Sequence, residues 1–119
     1  MIVNRKYFGT EKFEKVYCKL IKAARDKQLI TYGEIAKIMR LPPSGDYMAK
    51  ETGQILGEIS EYEHLHGRPL LSAIVVRGDK KMPGEGFFAL SRQLSELEED
   101  MDEWTFWKIE LKRVYDTWS

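Results

Sequence analysis

The chain has 119 residues, 43% hydrophobic and 32% charged. That is enough for one domain with a modest core, too short for two ordinary ones, and too apolar for a disordered tail. Formal net charge is +0, so the global balance carries no nucleic-acid signature. The distribution is uneven: residues 1–50 hold eleven Lys/Arg against five Asp/Glu, and residues 51–119 hold eight against fourteen. Solvated faces account for both halves, and separation along the chain need not become separation in space.

The single cysteine, Cys18, excludes an intramolecular disulfide. It falls among Val16, Tyr17, Leu20 and Ile21, a pattern that predicts a buried structural thiol rather than a nucleophile. No apolar run approaches the ~20 residues of a membrane span. Met1–Lys6 carries charges with no long apolar segment behind them, so a secretory signal is not expected and a cytoplasmic protein without a membrane partner is.

Thr10 is placed to cap a first helix over residues 11–27. Phe13, Val16, Tyr17, Leu20, Ile21 and Ala24 form its apolar stripe. Lys12, Lys15, Lys19, Lys22 and Arg25 take the remaining surface. Leu29-Ile30 reads as a connector. Thr31 with Glu34 is a capping box opening a second helix, with Ile35, Ala36, Ile38 and Met39 inside. Pro42-Pro43-Ser44-Gly45 ends it. Asp46 is placed to cap a third helix reaching Leu65 or His66, with Ile55, Leu56, Ile59 and Tyr62 on its inner side.

Leu70 to Val76 reads as a buried strand, residues 78–84 as a turn or wing, and Phe87 to Leu90 as the returning strand. Residues from Leu94 to Trp118 read as one further helix, with Trp104, Trp107 and Trp118 offering a surface for a protein partner or a homodimer. The acidic run Glu96–Glu103 suits a helix N-terminus. The expected fold is a single α-rich α+β domain: a winged-helix-like three-helix unit over residues 9–90 with a short β-hairpin, then a long amphipathic C-terminal helix over 91–119.

Thr31-Tyr32-Gly33-Glu34-Ile35-Ala36, Lys50-Glu51-Thr52-Gly53-Gln54-Ile55-Leu56-Gly57, Leu71-Ser72-Ala73-Ile74-Val75-Val76 and Gly84-Glu85-Gly86-Phe87 follow one another along the chain. That order resembles the DNA-binding domain of the alkylguanine-DNA alkyltransferases and the alkyltransferase-like proteins. The resemblance covers roughly two-thirds of the chain and implies a helix-turn-helix reading double-stranded DNA, with modified or distorted duplex as its target. By that resemblance Tyr32 is a phosphate contact; its own sequence position equally suits an aromatic packing the second helix.

The resemblance places Lys50 where the family has an arginine entering the base stack. Lysine keeps the charge without the planar fork, so a phosphate contact is expected. Gly53 and Gln54 belong to the same DNA-facing segment. Gly53 and Gly57 also suit a close approach of DNA or of a neighbouring helix. Ser72 stands at the former nucleophile position, where the family has its cysteine. Ala73 and Ile74 replace the histidine and arginine that follow. A serine beside alanine lacks both thiolate and base, so Ser72 is expected to be structural and the protein non-catalytic.

The Gly84–Phe87 run resembles the family's Gly-rich lid, although any hairpin turn would use the same residues. Glu61, Glu63, His64 and His66 have spacing a metal can use. With two histidines and one distant cysteine, a solvated helix end is the expectation, with no metal and no cofactor.

Overall fold

A computed structural model describes residues 3–119; Met1 and Ile2, part of the leader reading above, lie outside the described residues. The order of elements is α1 (Glu11–Arg25), β1 (Ile30–Thr31), α2 (Tyr32–Met39), α3 (Asp46–Leu65), a 3-10 turn (Leu71–Ile74), β2 (Val75–Val76), α4 (Glu85–Gln93) and α5 (Glu103–Trp118). The architecture is helix-rich, with one two-stranded sheet among the described residues.

Local chemistry starts and stops the helices. Thr10 accepts the Phe13 N–H and caps α1. Asp26 is its C-cap and Lys27 turns to φ 53, so the helix stops two residues before the expected end. The capping box of α2 is complete: Thr31 Oγ1 accepts the Glu34 N–H at 3.2 Å, and Glu34 Oε2 accepts the Thr31 N–H at 2.8 Å. At α3 the cap position belongs to Gly45, with no side-chain cap, and Asp46 is already inside the first turn.

The expected hairpin does not form. Ile30 pairs with Val75 and Thr31 with Val76 in parallel register, and α2 and α3 supply the crossover that a parallel pair requires. Residues Leu71–Ile74 coil into the 3-10 turn. Phe87 to Leu90 lie within α4, started by Gly84 and Glu85 and burying Phe87, Phe88, Leu90 and Ser91. Spacing of three and four among those positions is helical, and a four-residue window conceals it.

The C-terminal stretch is also two helices rather than one. Leu94 is the C-cap of α4, Ser95 turns to φ 61, and Asp102 caps α5 by accepting the Thr105 N–H at 2.9 Å. The acidic run therefore occupies the connection between helices.

Val16, Leu20, Ile35, Met39, Ile55, Ile59, Leu70, Leu71 and Ile74 are fully buried. Burial of this apolar surface drives the fold. Cys18 faces outward instead of into this core and is exposed, because Val16 and Leu20 take the inner stripe on either side of it. Trp107 is 3% exposed and its Nε1 donates to the Ala73 carbonyl at 2.8 Å, fastening α5 to the 3-10 turn.

Glu110, also buried, accepts the Leu70 N–H at 2.8 Å and Arg113 Nη1 at 2.6 Å. Burial raises its carboxyl pKa above the ordinary value, against the lowering effect of the Leu70 amide and Arg113. A raised folded-state pKa means that ionisation favours the unfolded chain. The stability of Glu110→Gln relative to the parent protein should therefore climb as pH rises from about 4.5 through the raised pKa. Urea unfolding from pH 4 to 8 checks this; a flat difference would contradict it.

Candidate functional site: a groove between α3 and α4

A cavity of about 1000 Å³ opens along α3. Its walls come from the starts of α2, α3 and α4, from Ser72 in the 3-10 turn, and from residues 77–79 after β2. The α3 wall is the small-residue stripe Ala49, Gly53 and Gly57, and Gly84, Gly86 and Ala89 belong to the α4 wall. Small side chains on both walls are the reason the space remains open.

Every site residue singled out in the sequence lines this cavity: Tyr32, Lys50, Gly53, Gln54 and Ser72. The structure thus gathers positions from distant segments, and it also revises what several of them do.

Tyr32 is half-buried, and its hydroxyl accepts the Gly84 N–H at 2.8 Å. A Cβ on Gly84 would meet that hydroxyl at 3.3 Å, so glycine allows the close approach. Burial raises the Tyr32 pKa, opposed by the Gly84 amide and by Arg77. The hydroxyl therefore stays protonated at neutral pH and keeps its own hydrogen to donate.

Lys50 is exposed, and among the described residues it has no ion-pair partner. The other charged side chains lining the cavity are Arg77, Asp79 and Glu85, with Arg77 paired to Asp79 at 3.4 Å. Lys50 is thus the cation left available to an anion.

Gln54 is committed elsewhere. Its Nε2 donates to the Asn4 carbonyl at 2.6 Å and to Glu58 Oε2 at 2.8 Å, using both amide hydrogens. Ser72 is buried, with its Oγ 2.6 Å from Ser60 Oγ, and its N–H donates to the same Ser60 oxygen at 3.2 Å. No backbone approaches either helical glycine: a Cβ on Gly53 would meet nothing within 4 Å, and one on Gly57 would meet Val3 at 3.8 Å and Leu90 at 3.9 Å.

The Gly84–Phe87 run is the N-terminal turn of α4 rather than a loop lid. Neither α3 nor α4 has a side-chain cap at its N-terminus. Their first-turn amides carry the partial positive charge of the helix dipole beside the cavity.

The acidic residues of α3 were invisible as a functional group in the sequence. Glu51, Glu58, Glu61 and Glu63 are all buried. Glu63 accepts Arg68 Nε and Nη2, each at 2.9 Å, and the Tyr17 hydroxyl. His64 Nδ1 lies 2.8 Å from Glu96, and His66 Nδ1 lies 2.8 Å from the Tyr62 carbonyl. The Glu/His spacing is therefore spent on separate structural pairs, and no group of metal-holding side chains occurs among the described residues. Likewise, no helix is long and apolar enough to cross a membrane.

Compared with protein-family models, curated proteins and solved structures, the chain matches none of them.

Proposed function

We propose that the chain binds double-stranded DNA through the α3–α4 groove, without covalent catalysis. One observation carries this reading: Tyr32, Lys50, Gly53 and Ser72, drawn from three separate segments of the family resemblance, line a single cavity. The uncapped starts of α3 and α4 and the unpaired Lys50 make part of its wall electropositive, which suits a phosphate.

In this reading α3 lies against a groove of the duplex. Lys50 and the Tyr32 hydroxyl hold phosphate oxygens. Lysines of α1 and α2 add sequence-independent attraction. Gln54 supports the wall rather than touching DNA. A modified or distorted duplex is the favoured target, because the cavity offers room beside α3 for a displaced nucleotide and intact B-form DNA does not use it. The non-catalytic part of the reading is supported by Ser72, whose hydrogen bonds go to Ser60 and to no base.

Lys50→Ala should weaken duplex binding in a similar proportion across sequences and lower the slope of log affinity against log salt by about 1. Fluorescence anisotropy across a salt series checks this. An unchanged slope would remove Lys50 from the interface.

A second reading, a protein-interaction surface on α5, draws on Trp104 at 53% and Ile109 at 49% exposure. The buried Trp107 and half-buried Trp118 subtract from it. Concentration-dependent mass without DNA affinity would favour it.

A further inference from the structure

The segment from Val3 to Thr10 crosses α3 and is held there by side chains of that one helix. Glu61 accepts the Val3 N–H at 3.1 Å, and Gln54 donates to the Asn4 carbonyl. Glu51 accepts Lys6 Nζ and the Tyr7 hydroxyl. Glu58 accepts the Tyr7 and Phe8 N–H groups at 3.0 and 2.8 Å. Positions 51, 54, 58 and 61 are spaced three, four and three apart, so they form one face of α3. The groove stripe, Ala49, Gly53 and Gly57, runs beside it.

Two further observations give this segment mechanical meaning. Val3 belongs to the cavity wall and packs where a Gly57 side chain would start. At the other end, Gly9 has φ +84 with nothing within 4 Å of a Cβ position, immediately before Thr10, which is fixed as the α1 cap. Glycine takes that φ without cost, whereas L-residues resist it.

We propose that Val3–Phe8 is a hinged strap that gates the groove, turning about Gly9 while the helices stay folded. Docked, it completes the wall with Val3 and engages the carboxylates of Glu51, Glu58 and Glu61. Released, it removes that wall and uncovers those carboxylates beside the groove, where they repel phosphate. An anionic ligand therefore binds the docked form better and shifts the strap toward it. The buried Tyr7 ring is the pin that release must withdraw. The coupling to DNA rests on the reading above; the independent opening of the strap does not.

Hydrogen exchange of the full-length protein, read by mass spectrometry with and without a short duplex, tests both parts. Amides of the strap should exchange faster than those of central α3. Gly9→Ala is strained in the docked form alone and should speed strap exchange about tenfold, leaving α1 and α5 unchanged. Glu58→Gln should act in the same direction. Duplex should slow the strap amides.

Strap and helices exchanging at one rate, or all accelerating together in both variants, would overturn the strap. A duplex that binds without slowing the strap would overturn gating and leave DNA binding intact. Independent strap opening with no duplex binding would uphold the hinge and overturn the DNA reading, and with it the coupling.

Discussion

Trp107→Ala should cost about 3–5 kcal/mol of folding stability, the range for emptying a buried aromatic site. The indole is 3% exposed and bonded to the Ala73 carbonyl, so truncation both opens a cavity and leaves a buried acceptor unpaired. Domains of this size are stable by roughly 5–15 kcal/mol, and the loss is therefore a large share of the total. Urea unfolding should show a much lower midpoint. Trp107→Phe separates the two contributions: the ring volume is partly kept, and the unmade hydrogen bond alone costs about 1–3 kcal/mol. A loss below about 1 kcal/mol for the alanine variant would mean that α5 is not integral to the core.

Gly53→Leu should move binding and stability in opposite directions. Glycine in a helix interior is about 1 kcal/mol worse than a good helix former, and a Cβ at this position meets nothing within 4 Å. The variant should melt at the same temperature or higher. Its side chain, however, projects into the groove at the point where α3 is proposed to approach the duplex. Affinity should fall at least about tenfold, equivalent to about 1.4 kcal/mol. Unchanged affinity in a well-folded variant would place the ligand outside the groove. Lost stability would instead contradict the open space described at Gly53.

Much of the helical framework was legible because its signals are local. Thr10, the Thr31/Glu34 box and the Pro42-Pro43 break mark boundaries within a turn or two. The stripe of α1 repeats often enough to fix its inner face. The sheet was not legible: Ile30–Thr31 and Val75–Val76 are two-residue strands whose pairing spans much of the chain, and two residues have no periodicity. Phe87–Leu90 was misread because an apolar run of that length fits strand and helix equally.

The site divides along the same line. Residue-by-residue resemblance found Tyr32, Lys50, Gly53 and Ser72, all of which line the cavity. It could not find what Gln54 does, since its partner Asn4 lies fifty residues away in sequence. Nor could it find the carboxylates of α3, which look like a solvated face. Their spacing of three and four was present in the sequence. What was missing was a reason to expect acidic side chains on an inner stripe, and backbone N–H groups of the strap supply that reason.

The most direct test of the account is fluorescence-anisotropy binding of the full-length protein to a short duplex, plain and distorted by a modified guanine, across a salt series. The account predicts binding that weakens steeply with salt and favours the distorted duplex. Absence of binding to either duplex at low salt would contradict it.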